Sequence, residues 1–423
     1  MPDRKTPPAL NPLPQASLIA PVERSLANGT RICIFKDNQQ GVFKMDILFR
    51  TGREYASRPF IADTALNMLN EGTSSRTGRE IAEIFDFHGA YMGLYTGFVQ
   101  SSLSVVSLYK HAGTIAGLIA EMIAESRIPE EEMKIFLKNR KQELLLKLEK
   151  NNFIAHREFG KKLYGPSHPY ANNTAPEDIE RVNGKDVADF YASHIRSKAP
   201  TLLLSGRIEE DFLCRIEEIF GSFSYCTPAG GLPEFPEIPS TPGRYAVETK
   251  NSMQTSLRIG KKGLSITHPD YPGFIVLNTL IGGYFGSRLM SNIREEKGYT
   301  YGIHSVNIVL PQSAYWVIMS DVNSEYKDRA VEEVLKEIDI LRKEPVGERE
   351  LEMVKTYMHG EILRETDGIF AQSDTFAEKL AFGLDNRYFE GIIRNIHAQT
   401  PEMLLSIAQT HLNPEEFIIV TAG

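Results

Sequence analysis

The chain has 423 residues, of which 42% are hydrophobic and 24% charged, with 32 glycines and 23 prolines. That composition supplies more than one hydrophobic core and excludes collagen-like, disordered and disulfide-scaffold classes. A formal net charge of -8 leaves no footprint for nucleic acid or an anionic membrane surface, and three widely spaced cysteines, Cys33, Cys214 and Cys226, point to a reducing compartment.

The N-terminal stretch is rich in proline and has no apolar h-region. It predicts an extended surface arm with no secretory signal. No segment approaches the roughly 20 apolar residues of a membrane span, so a soluble, cytoplasmic protein is expected. Residues 30–36 and 42–50 alternate around Asp37–Gly41 and predict a hairpin. Helices are predicted over 61–70 and 78–87, and strands over 90–96 and 101–109. Ile115, Leu118, Ile119, Met122 and Ile123 form one helical stripe. A long charged helix over 130–150 starts after Pro129. A helix ending near His194 precedes a strand from Thr201 to Leu204. Residues 222–247 are rich in proline and glycine and predict a linker. Beyond it, helices near 272–281 and 286–295, strands near 300–308 and 314–321, and helices over 326–342 and 347–364 repeat the earlier order. The pattern predicts an α+β fold with antiparallel sheets and helices largely on one face.

Three ordered matches relate the two halves. Residues 192–206 align with 409–423, residues 130–145 with 348–363, and Ala65–Leu69 with Val276–Leu280. Convergent amphipathic patterning would give isolated matches. Their common order favours duplication. The expected division is a first domain over 1–221, the linker 222–247, and a second domain over 248–423.

The familiar catalytic motifs are missing. There is no phosphate-binding G-x-x-x-x-G-K-[ST], no G-x-S-x-G, no H-E-x-x-H and no H-x-x-E-H. The informative segment is 282–302, GGYFGSRLMSNIREEKGYTYG. Gly282 and Gly283 permit a close backbone approach. A charged helix over 287–297 stops at Gly298, in the left-handed conformation that glycine favours. This order places Arg294 near the helix end and Tyr301 on the following strand. Guanidinium and phenol are hydrogen-bond donors suited to the carbonyls of an extended peptide. By spacing alone, the pair also reads as a solvated helix face with a tyrosine at the core edge.

This segment resembles the C-terminal half of the pitrilysin/insulinase-type metallopeptidases, the inverzincins, which include the mitochondrial processing peptidases. Gly282, Gly283, Ser287, Arg288, Leu289, Ile293, Arg294, Glu295, Gly298 and Tyr301 carry the resemblance. The layout of nearly the whole chain is similar too, which implies two duplicated domains, each a mixed sheet packed with helices. In that family the first half bears H-x-x-E-H on a helix. The matching phrase here is Ile61–Thr73, where Asp63 and Asn67 replace the ligand histidines and Leu66 replaces the general-base glutamate. The distal glutamate ligand falls near Glu143. Asp63 and Glu143 alone would hold a hard cation weakly, and a leucine transfers no proton.

The resemblance therefore implies a division of labour. This chain would bind no metal and be inactive alone. It would bind an unfolded peptide through Arg294, Tyr301 and the Gly282–Gly283 turn, beside zinc held by a paralogous partner in a heterodimer. The alternative is a homodimeric peptide-binding or assembly module without proteolysis.

Overall fold

The computed structural model of the chain describes residues 14, 16–37, 39–226, 233–249 and 252–423. Most of the proline-rich arm lies outside the described residues. The part that is described, residues 16–21, runs over the surface, where the Ile19 amide donates to Gln372 Oε1 at 2.6 Å and Gln372 Nε2 donates to the Ser17 carbonyl at 3.2 Å.

Two sheets organise the chain. The first contains β1 (Val22–Ser25), β2 (Arg31–Lys36), β3 (Val42–Phe49), β4 (Tyr91–Thr96), β5 (Ser101–Leu108) and β6 (Thr201–Gly206), in the order β1-β2-β6-β3-β5-β4. The second contains β7 (Gly243–Val247), β8 (Gln254–Lys262), β9 (Thr300–Leu310), β10 (Ser313–Asn323) and β11 (Ile418–Ala422), in the order β7-β11-β8-β10-β9. Without β1 the two orders are the same. The one parallel pair in each also matches, β2 with β6 and β7 with β11. β7 occupies the last residues of the expected linker.

The expected hairpin of residues 30–36 and 42–50 does not form, because β6 lies between the two strands. It pairs parallel with β2 and antiparallel with β3. The reason is burial. Leu202, Leu203 and Leu204 are all fully buried, and a strand apolar on both faces belongs in the sheet interior. With that one strand between them, β2 and β3 stand roughly 10 Å apart.

Fourteen α-helices are present among the described residues. The first lobe has α1 (Ile61–Asn67), α2 (Gly78–Phe87), α3 (Ala112–Glu125), α4 (Glu130–Leu148), α5 (Asn151–Tyr164), α6 (Pro176–Glu180), α7 (Gly184–Phe190) and α8 (Glu210–Gly221). The second has α9 (Tyr271–Asn278), α10 (Lys327–Lys343), α11 (Glu348–Glu365), α12 (Gly368–Ala381), α13 (Asn386–His397) and α14 (Pro401–His411).

Strand alternation gives each sheet two apolar faces. Ile32, Ile34, Phe43, Met45, Ile47, Leu202 and Leu204 join a core with α1, α2, α3, α7 and α8. Their neighbours Cys33, Phe35, Leu48 and Leu203 point the other way, onto Phe376 of α12. The second sheet divides likewise. Leu257, Ile259, Trp316 and Ile318 pack under α9, α10 and α14, while Tyr315, Val317, Ile418, Val420 and Ala422 meet Ala155, Phe159, Leu163 and Tyr164 of α5. Helices therefore cover both faces of each sheet, and the second cover comes from the opposite lobe. The expectation of helices largely on one face holds only within a lobe.

Polar contacts lock the same junction. Lys44 Nζ stands 3.1 Å from Asp46 Oδ2 and also meets Asp374 of α12. Glu54, only 4% exposed, accepts from the Tyr170 hydroxyl and from Gln312 Nε2 at 2.8 Å. Burial pushes its carboxyl pKa up, and the two donors offset this only in part. Phe376 meets Phe35 edge to face at 5.4 Å. Phe376→Ala should cost roughly 3–5 kcal/mol in a denaturant titration. A loss below about 1 kcal/mol would mean that α12 does not hold the lobes together.

Candidate functional site

The position of interest in the first lobe is α1. A short turn over Arg53–Tyr55 precedes it and docks on the β4–β5 connection, with the Arg53 amide donating to the Gly97 carbonyl at 2.9 Å and the Glu54 amide to the Phe98 carbonyl at 3.0 Å. Gly52 makes this approach possible, since a Cβ there would stand 2.4 Å from both carbonyl oxygens. The docked turn aims Arg53 at α1. Its Nη2 donates to Asp63 Oδ1 at 2.8 Å and its Nε to Oδ2 at 3.1 Å. The paired donors of a guanidinium match the two oxygens of a carboxylate.

Asn67 Nδ2 donates to the Asp63 carbonyl at 2.8 Å. Leu66 is 1% exposed and belongs to the hydrophobic core. Glu143 on α4 is paired with Arg140 one turn earlier, at 2.9 Å. Both carboxylates available to a cation thus have a guanidinium partner already. Among the described residues, no group of three histidine, cysteine or carboxylate ligands converges on α1; the group that does converge, His268, Asp270 and His411, lies in the second lobe.

The second-lobe segment begins with Gly282 and Gly283, which continue α9. Gly282 is buried, and a Cβ on it would stand 2.7 Å from the Ser305 amide of β9. The close approach therefore serves helix-on-strand packing. At Gly283, which is exposed, a Cβ would meet Thr279 at 3.3 Å. Arg288 forms a two-pronged pair with Glu350 of α11, at 2.8 Å for each contact. Met290–Glu296 winds as a wide helical turn, closed by the Lys297 amide on the Asn292 carbonyl at 3.0 Å. Gly298 then reverses the chain at φ +66.

Tyr301 follows on β9, an edge strand of its sheet. Ile303 pairs with Ser320 and Thr300 with Val322, so Tyr301 and Gly302 together oppose Asp321 alone. That is a β-bulge, a device that re-aims a side chain. Hydroxyls hold it in place. Thr300 Oγ1 donates to the Asp321 carbonyl at 2.7 Å and accepts from the Gly302 amide at 3.1 Å, while Ser320 Oγ donates to the Gly302 carbonyl at 2.9 Å. Tyr301 is left 89% exposed. The Arg294 guanidinium lies 4.7 Å from the centre of the exposed Phe285 ring. The side chains of Arg294 and Tyr301 make no hydrogen bond to any described residue.

A cavity of about 1620 Å³ opens between the lobes, lined by Arg31, Arg50 and Gln100 on one side and Lys262, His268 and Gln312 on the other. Burial pushes the Lys262 ammonium down to about 8, over the face of the Tyr164 ring at 3.7 Å. Arg294 and Tyr301 do not line this cavity.

The repeated sheets and the segment 282–302 find their counterparts in known proteins. A family model described as Peptidase M16 inactive domain matches residues 181–358. Over those residues the chain is similar to the M16 peptidases. The uncharacterised zinc protease YmxG of Bacillus subtilis is 25% identical over 339 residues, which span 79% of this chain and 82% of that protein. The human mitochondrial-processing peptidase subunit beta is 22% identical over 228 residues, 52% of this chain and 45% of that subunit. The crystal structure of a peptidase M16 inactive domain from Pseudomonas fluorescens shares the fold, with a TM-score of 0.84 at 22% identity over 96% of this chain and 98% of that one.

Zinc is the metal that the name of the Bacillus relative implies. The residues at α1 do not fit it. Zinc takes imidazole, thiolate or free carboxylate, and α1 offers a carboxylate bound to Arg53, an amide bound to the backbone, and a buried leucine.

Sequence reasoning missed Arg53, Thr300 and Ser320. Gly302 inside a strand was the available sign of the bulge, whereas Arg53 carries no local signal because its role depends on a turn docked from elsewhere. Thr300→Val should cost roughly 1–2 kcal/mol by leaving bulge backbone groups without partners, and should speed amide exchange at Tyr301 and Gly302. Unchanged exchange and stability would show that the hydroxyls do not hold the bulge.

Proposed function

We propose that this chain is a non-catalytic, peptide-binding subunit of an M16-type zinc peptidase. It supplies Arg294 and Tyr301 to a substrate held at the zinc site of a paralogous partner chain. The observation that carries this reading is the contrast between the two lobes. In the first, the position of a metal-binding helix holds an Arg53–Asp63 ion pair. In the second, Arg294 and the bulge-mounted Tyr301 keep their donors clear of internal hydrogen bonds among the described residues.

Tyr301 stands on an edge strand, beside which an extended peptide can align by main-chain pairing. A guanidinium and a phenol fixed on its carbonyls would orient the peptide and polarise the bond to be cut. The likeness to the beta subunit of a mitochondrial-processing peptidase supports a paired assembly. No described helix is long and apolar enough to cross a membrane, and three free cysteines accord with a reducing, cytoplasmic setting.

The test is reconstitution. The chain is mixed with a zinc-bearing paralogue, complex formation is measured by light scattering, and cleavage of an unfolded peptide is followed. Arg294→Ala and Tyr301→Phe should each lower cleavage by about 10²-fold, the usual effect of removing one transition-state donor, with the complex intact. No complex, or full cleavage by both variants, would refute the assignment.

A further inference from the structure

The cluster of His268, Asp270 and His411 stands apart from both α1 and the Arg294–Tyr301 surface. We propose that these three side chains form a binding site for a divalent transition-metal ion of the zinc type, at the mouth of the interlobe cavity.

The geometry supplies the argument. One ligand atom from each residue lies within 4.8 Å of the others. In a tetrahedral zinc site with bonds of about 2.0–2.1 Å, donor atoms stand roughly 3.3 Å apart, so the side chains need to close by at most about 1.5 Å from the present 4.8 Å. His411 Nε2 and Asp270 Oδ2 are already 2.8 Å apart. Two imidazoles with one carboxylate select a borderline d-block ion over magnesium or calcium, which prefer all-oxygen shells. Three protein ligands leave a fourth position for water, and His268 lines the cavity, which gives the ion a path in.

The backbone has the ligands in place. Asp270 immediately precedes α9, at the position where an aspartate ordinarily caps the helix with its side chain. Here it makes no cap hydrogen bond and its carboxylate faces His411 instead. His411 is the last residue of α14 and is largely buried, with 15% of its side chain exposed. A cation between them sits near the negative end of α14, which favours it, and near the positive end of α9, which Asp270 offsets. His268 Nδ1 accepts the Asp270 amide at 3.1 Å, which fixes the ring. Ligation through Nε2 moves the ring proton to Nδ1 and gives up that bond. The ion would thus staple the start of α9 to the end of α14.

The full-length chain, stripped with a chelator, is titrated with Zn²⁺ alone and with Co²⁺ alone, with bound metal counted by equilibrium dialysis and the thermal midpoint recorded. The expected result is one equivalent of metal, a raised midpoint and, for Co²⁺, the visible absorption of a four-coordinate ion. His268→Gln and His411→Gln should each weaken binding at least tenfold and abolish the shift in midpoint. His268 lies in a turn, so its variant keeps the test open should His411→Gln fold poorly. Asp63→Ala and His359→Gln should bind as the parent does. No stoichiometric metal, binding that survives both histidine substitutions, or binding lost with Asp63→Ala would each overturn the proposal. None of these readouts involves a partner chain or peptide cleavage, so the result stands separate from the proposed function.

Discussion

Each sheet of this protein has two apolar faces, and neither lobe can cover both of its own. The alternation along β2, β3 and β6 sends Ile32, Met45 and Leu202 to one side and Cys33, Leu48 and Leu203 to the other. The second face is closed only when α12 arrives from the second lobe, as α5 closes the corresponding face of the second sheet. This reciprocal cover removes a large apolar area from water on both sides, worth about 25 cal/mol for each Å². It also fixes the lobes against each other and defines the cavity between them. Buried polar groups then set the register, with Lys44 between Asp46 and Asp374 and Glu54 between Tyr170 and Gln312. Breaking one partner of such a group strands the other in a poor solvent.

Within that frame the two lobes have diverged in chemistry while keeping one topology. α1 and α9 hold equivalent places, and their last residues, Asn67 and Asn278, show what each lobe does with them. Asn67 turns back to its own helix. Asn278 accepts from the indole of the buried Trp316 at 2.8 Å and fastens α9 to the sheet. At α1 the side chains that would face a metal are spent on a local ion pair and on the core. At the segment after α9, the motif residues divide into those that build and those that face outward. Gly282, Arg288 and Gly298 build the turn, and Arg294 and Tyr301 face outward from it.

Much of the fold was legible in the sequence because it rests on local periodicity. The helix over 78–87 and the strands over 300–308 and 314–321 appear where the apolar spacing puts them, and the charged helix of 130–150 starts directly after Pro129. The shared order of segments in the two halves reappears as the shared strand order. Long-range features were not legible. Nothing near residues 37–41 announces that β6 will part β2 from β3, since that pairing is decided by a leucine run more than 150 residues away. Nor does anything local in α5 or α12 tell which sheet each covers, since the strands they pack against belong to the other lobe. The candidate site divides in the same way. Asp63, Leu66 and Asn67 could be read against a linear phrase, but Arg53 joins them only through a docked turn. His268, Asp270 and His411 fit neither H-E-x-x-H nor H-x-x-E-H, because two come from one turn and the third from a helix end far along the chain.

On the proposed reading, α1 carries a structural ion pair and no metal, and hydrolysis requires another chain. The direct measurement is peptide turnover by the purified full-length protein alone, supplied with zinc and a mixture of unfolded peptides and read by mass spectrometry. The account predicts cleavage no greater than in a protein-free control. Cleavage that Asp63→Ala or Asn67→Ala abolishes would contradict it.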